Sequence, residues 1–421
     1  MTRIAYAFLW LFVFTLPWER FLVLPGVAII SRVTGGIAVG LTLVAIVMAG
    51  RFRRWHTFHV WALMFWLWAG ACFLVYHSGD RLPAKYWTYG QLLLVLWMTW
   101  ELAVTEARQR GLLMAYVLGG YVASLDTLLI YRQQAGVARR FAAGGADPND
   151  MAMVLALALP MAWYLGMTTR NTVVRWVSRG FLPLGVLAIG LTGSRGGMIA
   201  ATVALLIVPL SMTRLSPGRV ISAMVMLVAA GALAVAYVPE TTIERLATIG
   251  TEVEGGRIGG RGKLWRAGLQ AHAERPIAGF GTGHFKSAIT PILGPAAQVA
   301  HNSYISVLVE QGIVGFALYM AMLIAVLYSL LRLRGLERRF ALVLFLTLAV
   351  TMMPLTWEDR RVVWITMAIL IGFSQARIAA RPGPVPQPAA ARPAPVRAWA
   401  RAAGARERPV VGRRDLPDAT A

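Results

Sequence analysis

The sequence is short of cysteine and of charge. Its 421 residues include a single cysteine, Cys72, which excludes an intrachain disulfide. Only 14% of the residues are charged, whereas 57% are hydrophobic, and the mean hydropathy is +0.61. Soluble domains carry far more charge, and repeated long apolar runs are typical of transmembrane helices. The composition therefore argues against a soluble domain and predicts a membrane protein.

Acidic residues are also scarce, with 19 Asp and Glu against 41 Lys and Arg. The basic residues lie in short clusters between apolar runs, a pattern that sets membrane topology rather than binding nucleic acid. No nucleic-acid partner is therefore expected. The N-terminal stretch MTRIAYAFLWLFVFTLPW imitates a signal peptide, but no small-residue cleavage site follows it before Glu19. We interpret this stretch as a first membrane span.

Apolar runs long enough to cross a bilayer recur along most of the chain. They predict an all-α polytopic membrane protein with about twelve transmembrane helices. The predicted spans are about 4–18, 33–49, 57–76, 86–104, 111–131, 149–168, 180–192, 196–212, 219–238, 303–331, 340–356 and 361–379. No internal repeat is evident, which argues against transporter folds built from repeated halves.

The basic residues also predict an orientation, because cytoplasmic loops carry an excess of Lys and Arg. That excess places both termini in the cytoplasm and one large loop, 239–302, outside between spans nine and ten. The Arg- and Pro-rich segment 381–421 cannot bury a core and is predicted to be a disordered cytoplasmic tail. The predicted organisation is spans one to nine in 1–238, the loop, spans ten to twelve in 303–380, and the tail.

The tenth span opens with the unusual stretch HNSYISVLVEQGIVG, residues 301–315. Asn302 is a residue type that caps helix N-termini, so His301 is predicted to lie at the external end of this helix. Asn302, Ser306 and Glu310 recur every four residues and form one polar stripe. A carboxylate at that depth faces a bundle interior or a wet cavity. The stripe fits either a functional site or a buried polar network that only holds helices together.

A short connection, LTGSRGGMIA at 191–200, joins spans seven and eight and fixes Arg195 at the external membrane surface. Its glycines permit a tight turn with exposed backbone N–H groups, a pattern that favours anion binding. The alternative is an interfacial arginine whose guanidinium reaches lipid phosphates. The pattern G-x-S-x-G is absent, which argues against a nucleophile pair of Ser194 and His301.

The external loop contains the glycine- and arginine-rich stretch EGGRIGGRGKLWRAG. Arg257 and Arg261 adjoin glycines, and Arg266 lies in an amphipathic helix predicted at roughly 262–274. The planar guanidinium can hold two phosphate oxygens at once, so Arg261 is a candidate anion clamp. The alternative is a solvated basic loop. Glu252 and Glu254 have no histidine or further acidic cluster beside them in the sequence, so no metal site is predicted.

Taken together, these stretches resemble a known family. His301 and Asn302, nine further residues, and then Gly312 and Gly315 follow the pattern H-[NSQ]-x9-G-x-x-G. This pattern resembles the signature of the O-antigen ligase superfamily of bacterial membrane glycosyltransferases. The stretch RFAAGGADPNDMAMVLALALP resembles that family's segment entering the sixth span, and GSRGG and GRGKLW occupy the family's arginine positions. The resemblance covers about residues 1–380, and the tail matches no family function.

The resemblance implies an enzyme of the bacterial inner membrane. It implies transfer of a glycan from undecaprenyl diphosphate to a sugar hydroxyl of the lipid A–core oligosaccharide on the periplasmic side. His301 is then the expected general base, and Arg195 and Arg261 are expected to bind the diphosphate. Four further residues are expected to support them: Asn302, Glu310, Arg266 and Arg257.

Single displacement with one base implies inversion at the anomeric carbon. Two arginines can stabilise the leaving diphosphate, so neither a metal nor a cofactor is expected. Two alternatives stay open, an O-antigen polymerase of the same superfamily and, from a different class, a lipid-linked glycan transporter. The pattern at 301–315 resembles ligases more than polymerases. A long external loop fits an active-site lid better than a rocking transport cycle.

Overall fold

A computed structural model describes the chain over residues 1–21, 23–24, 28–76, 83–134, 140–212, 216–237 and 261–380. Two sequence predictions therefore lie outside the described residues: the disordered tail, and the first part of the external loop, which holds Arg257.

Helices make up nearly all of the described structure. In chain order they are α1 (Thr2–Thr15), α2 (Ile30–Ala49), α3 (Thr57–Tyr76), α4 (Ala84–Leu102), α5 (Glu106–Gln134), α6 (Pro148–Thr168), α7 (Thr172–Leu191), α8 (Arg195–Leu205), α9 (Ile207–Met212), α10 (Pro217–Tyr237), α11 (Arg261–Glu274), α12 (Phe285–Leu293), α13 (Ser303–Leu331), α14 (Gly335–Thr351) and α15 (Arg361–Ala379). Two short antiparallel strands, β1 (Val23–Leu24) and β2 (Ala28–Ile29), lie between α1 and α2.

The predicted all-α polytopic fold class is confirmed. Within the described ranges, seven helices are long and apolar enough to cross a membrane: α2, α3, α5, α6, α7, α13 and α15. Each of the other predicted spans also coincides with helical structure, and the eighth consists of α8 and α9 in succession. The chain is therefore a multi-pass helical membrane protein, and the count of twelve crossings stays a prediction.

The seventh span is longer than predicted. The sequence placed it at 180–192 because Arg175 and Arg179 interrupt the apolar run. The structure begins α7 at Thr172, where the Asn171 side chain caps the helix by accepting a hydrogen bond from the Val174 N–H at 3.1 Å. Arg179 is buried in this helix and donates from Nε to the Gly166 carbonyl at 3.2 Å. A buried arginine that donates a hydrogen bond to a neighbouring carbonyl is thus tolerated inside the helix.

Helix α6 forms the centre of the fold. Its sequence is apolar on all sides, and 94% of its most apolar 18-residue stretch is buried. This burial is expected of a helix without a polar face. It packs against α5, α7, α8 and α14. The N-terminus of this central helix is consequently held in a fixed position, and the candidate site lies there.

Helix α13 is interrupted near one end. Gly312 has φ 63° and ψ −169°, a conformation that is essentially restricted to glycine. The freed carbonyls are satisfied by the segment after α11, since the Phe280 and Gly281 N–H groups donate to Val309 and Glu310 at 3.0 and 2.8 Å. The interruption therefore ties the segment after α11 to the helix that follows His301.

Candidate active site

The N-terminal ends of four helices meet around the candidate site. Asp147 caps α6, Ser194 caps α8, Asn302 caps α13, and Arg261 is the first residue of α11. Hydrogen bonds join these ends: Ser194 Oγ donates to Asn149 Oδ1 in the first turn of α6 at 3.0 Å, and Trp265 Nε1 of α11 donates to the Ala300 carbonyl, beside His301, at 2.9 Å. Helix N-termini carry partial positive charge, so their meeting favours an anion.

His301 has an uncommon backbone conformation. Its φ is +46°, and it is the one non-glycine residue with positive φ in the described part of the chain. Such a conformation costs free energy and persists where the surroundings enforce it, often at functional sites. Here the His301 N–H donates to Thr356 Oγ1 at 2.9 Å, which fixes the residue against the connection between α14 and α15.

Two more contacts hold this segment. Ser303 Oγ donates to the Leu355 carbonyl at 2.9 Å and accepts from the Trp357 N–H at 2.8 Å. On the other side, Trp265 Nε1 of α11 donates to the Ala300 carbonyl at 2.9 Å. The tryptophan of the GRGKLW stretch thus fixes α11 beside His301. Rigid support of this kind is what positions a catalytic side chain.

The His301 imidazole is half-buried in a mixed electrostatic field. Burial and the nearby Arg261 lower its pKa, while Asp147 and Asp150 act in the opposite direction, and the net shift is downward. Among the described residues, no side chain hydrogen-bonds to the ring. A neutral imidazole near physiological pH can accept a proton, so the arrangement suits a general base.

Arg195 and Arg261 lie close enough together to influence each other. Burial lowers the pKa of Arg261, Asp147 raises it and Arg195 lowers it, and the net shift is downward. Two guanidinium groups at short range repel unless an anion lies between or beside them. The oxygens of a diphosphate suit the forked guanidinium groups of both residues.

The GSRGG turn serves packing more than anion binding. The N–H groups of Gly193, Ser194 and Gly197 donate to Gly190 O, Thr192 Oγ1 and Ser194 Oγ respectively, so they are not directed at a ligand. A Cβ at Gly197 would lie 2.2 Å from Ala152 Cβ of α6. The predicted backbone nest is therefore wrong for these three groups, because the glycines allow close contact between helices.

Ser194 is engaged as well. Its hydroxyl donates to Asn149 Oδ1 at 3.0 Å while capping α8. Arg140 Nη2 also donates to Asn149 Oδ1 at 2.7 Å, and its Nε donates to the Thr192 carbonyl at 2.9 Å. The DPND stretch is thereby joined to the GSRGG turn, and Arg140 adds positive charge beside Arg195.

Asn302 and Glu310 do not contact the His301 ring. Asn302 Oδ1 accepts from the Tyr304 and Ile305 N–H groups at 3.0 and 3.1 Å, which confirms the predicted N-cap. Glu310 Oε2 instead pairs with Lys85 Nζ at 2.8 Å and accepts from the Gly283 N–H at 2.9 Å. The role expected for Glu310 beside His301 thus has no contact to support it.

The Glu310 side chain belongs to a buried ion-pair network. Lys85 of α4 also contacts Glu358 Oε1 at 2.6 Å and Ser306 Oγ at 3.3 Å. Glu310 and Glu358 are 3% and 0% exposed, so the two carboxylates share one ammonium away from solvent. This arrangement matches the interpretation of the polar stripe as a network that holds helices together.

Arg266, a further arginine candidate, is not among the charges that act on Arg261 or His301. Arg266 is exposed on α11 and donates from Nε to the Gly262 carbonyl of its own helix at 3.4 Å. Arg257 lies outside the described residues. In the described ranges, no group of three His, Cys, Asp or Glu side chains is arranged to hold a metal ion.

Sequence reasoning missed several residues of the site. Asp147, Asp150 and Arg140 were visible only as part of the RFAAGGADPND stretch, and Thr356 had no signal at all. Glu358 follows a tryptophan in a charged turn between two spans, a position where a buried acid is unusual. For Asp147 and Asp150, the available clue was their position in the stretch that resembles the family's segment entering the sixth span.

The fold and the site define a multi-pass helical membrane protein with a basic, histidine-containing cluster at one end of its helices. Residues 180–320 match the model of a family described as O-antigen ligase. This match confirms the resemblance to the O-antigen ligase superfamily, whose members are glycosyltransferase-like membrane enzymes. The matched segment contains Arg195, Arg261 and His301 together. No curated protein matches the chain.

Proposed function

We propose that this protein is an O-antigen ligase of the bacterial inner membrane. It transfers a glycan from undecaprenyl diphosphate to a sugar hydroxyl of lipid A–core oligosaccharide on the periplasmic side. The observation that carries the proposal is the position of Arg261: it begins α11, whose Trp265 hydrogen-bonds to Ala300 beside His301, and its charge interacts with both His301 and Arg195.

The proposed reaction is a single displacement. His301 accepts the proton of the acceptor hydroxyl as the oxygen attacks the anomeric carbon of the donor. The bond from that carbon to the phosphate oxygen breaks, and its electron pair leaves with the lipid diphosphate. Arg195 and Arg261 stabilise the negative charge that grows on the leaving group. One displacement inverts the anomeric configuration, and no metal takes part.

Reconstitution with purified substrates tests this proposal. The purified protein, lipid-linked glycan and lipid A–core are combined in vesicles, and the products are analysed by mass spectrometry. We expect glycosylated lipid A–core with inverted linkage, formed equally in excess EDTA. Loss of activity in EDTA that added metal restores would exclude the metal-free mechanism.

The same experiment separates the alternatives. Glycan chains that lengthen on the lipid diphosphate, with lipid A–core left unmodified, would identify a polymerase. Movement of the lipid-linked glycan across the vesicle membrane without any new covalent product would identify a transporter.

A further inference from the structure

An open groove runs along the outside of the helix bundle between α2 and α4. Its walls are more apolar than polar and include Phe12, Val39, Leu94 and Val95, and its volume is about 540 Å³. Gly36 also lines the groove, and a Cβ placed on it would meet no atom within 4 Å. The groove thus has an open, largely apolar surface that suits a hydrocarbon chain.

One end of the groove is positively charged. Arg32 lies exposed in the first turn of α2, and Arg361 begins α15 beside it. Arg361 Nη1 donates to Glu19 Oε2 at 3.2 Å and to Ser31 Oγ at 3.3 Å, and these contacts hold its guanidinium in place. The Glu19 carboxylate balances one of the two positive charges of Arg32 and Arg361. The net charge at this end remains positive, which suits one phosphate.

Arg361 also lines a second, smaller pocket of about 50 Å³. This pocket combines the aromatic rings of Trp18 and Trp357 with the carboxylate of Asp150. The Trp18 indole N–H is buried without a hydrogen-bond partner. Aromatic faces together with unpaired donors and carboxylates are the groups that bind sugar rings and hydroxyls.

Hydrogen bonds connect the lining of the second pocket to the His301 segment. Asp150 Oδ1 accepts from Trp357 Nε1 at 2.9 Å, and the Trp357 backbone is held by Ser303, two residues after His301. Asp150 also influences the pKa of His301. A hydroxyl bound at Asp150 therefore lies within electrostatic range of the proposed base.

We propose that the groove and the pocket, joined at Arg361, form one site for a phosphorylated, lipid-anchored saccharide that acts as the glycan acceptor. Its hydrocarbon chains lie between α2 and α4, its phosphate lies at Arg32 and Arg361, and a hydroxyl of its sugar enters the pocket at Asp150. This assignment rests on the proposed function, because it places the second substrate of that reaction. Neither Arg195 nor Arg261, assigned to the donor diphosphate, lines the groove or the pocket.

Two glycines of α2 provide a matched test. Gly36 lines the groove, whereas Gly40, one helical turn further, does not, and an added Cβ meets no atom within 4 Å at either position. Gly36→Leu adds an apolar side chain at the groove, where a Cβ has open space, and Gly40→Leu makes the same change beside it. We expect Gly36→Leu to raise the KM for the lipid-anchored acceptor roughly tenfold while the KM for the donor stays unchanged. Gly40→Leu should match wild type.

A second pair of measurements separates the parts of the acceptor. Gly36→Leu should not alter the KM for the same saccharide without its lipid. Arg32→Gln should weaken use of the phosphorylated acceptor but not of its dephosphorylated form. A raised KM for the donor in Gly36→Leu would assign the groove to the donor lipid, and equal behaviour of both leucine variants would show filling by bulk membrane lipid. Either result overturns the proposal.

Binding without catalysis distinguishes this proposal from the proposed function. The probe is a bis-phosphorylated disaccharide lipid with a photoreactive acyl chain, added to wild-type, Gly36→Leu and Gly40→Leu protein in nanodiscs without donor. We expect crosslinking to α2 or α4 in wild type and Gly40→Leu and its loss in Gly36→Leu. Crosslinking with this pattern but no glycan transfer by wild type would leave the site standing and refute the ligase. Crosslinking that Gly36→Leu does not reduce would refute the site.

Discussion

At the residue scale, the strained conformation of His301 links local geometry to the proposed chemistry. His301, between Ala300 and the N-cap Asn302, has a left-handed backbone conformation that is unfavourable for a residue with a side chain. We infer that this conformation is retained because it positions the imidazole ring. His301→Asn is an informative change, because asparagine tolerates this conformation but cannot accept a proton in the same way. We expect the variant to unfold at the wild-type temperature and to show no transfer in the vesicle assay. Near-normal transfer would remove His301 from the mechanism.

The carboxylate of Asp147 predicts a shift in the pH dependence of transfer. A base must be neutral, so activity falls as the pH drops through the pKa of His301. Burial and Arg261 lower that pKa, whereas Asp147 raises it. Asp147→Asn removes the negative charge and retains a residue that can cap α6. The pKa should therefore fall further, and the acid limb of the pH–kcat/KM profile should move to lower pH.

A matched control is available for this change. Asp126→Asn alters a carboxylate that accepts from the Gly144 N–H at 2.8 Å and is not among the charges that shift His301. Its pH profile should match wild type. An acid limb that moved to higher pH in Asp147→Asn would contradict the assignment of His301 as the base.

The two arginines should differ from lysine in function. Arg195→Lys and Arg261→Lys keep the positive charge but lose the planar fork that holds two diphosphate oxygens. We expect each lysine variant to retain partial activity and each alanine variant to lose nearly all of it, measured as kcat/KM for the donor. Arg266→Ala, on the exposed face of α11, serves as the control and should stay close to wild type. Equal losses in all three alanine variants would indicate a general basic loop rather than a specific clamp.

At the scale of elements, the interruption of α13 depends on Gly312. A Cβ there would lie 2.1 Å from the Ile277 carbonyl oxygen, and the backbone conformation is essentially restricted to glycine. Gly312→Ala should therefore release the segment after α11 and lower the unfolding temperature in detergent. Gly40→Ala, where an added Cβ has open space, should not lower it. Unchanged unfolding in Gly312→Ala would contradict this structural role.

The buried ion-pair network predicts an asymmetry between its members. Lys85→Met leaves two buried carboxylates without their counter-ion, a change that typically destabilises by about 3–5 kcal/mol. Glu310→Gln keeps the pair of Lys85 with Glu358 and can still accept from the Gly283 N–H. The glutamine variant should therefore lose less stability in thermal unfolding. Equal losses would argue that the network does not act through charge balance.

The sequence predicted the elements better than the contacts between them. The spacing of apolar residues and the N-cap residue types were sufficient to place α13 after Asn302 and α11 near 262–274, because both signals are local. The same local signals failed at α7, where a buried, paired Arg179 resembled a loop residue. They also could not reveal that Glu310 meets Lys85, 225 positions away, because that contact depends on how helices pack.

At the scale of the whole molecule, topology decides whether the proposed site faces the periplasm. Trp265 fixes α11 beside the start of α13, and α13 runs 29 residues from there to the connection before α14. Exposed positions 263 and 334 thus mark its two opposite ends. In a Cys72→Ser background, Lys263→Cys should react with a membrane-impermeant thiol reagent in intact spheroplasts. Arg334→Cys should react only after the membrane is opened, and the reverse pattern would place the site in the cytoplasm and exclude a periplasmic ligase.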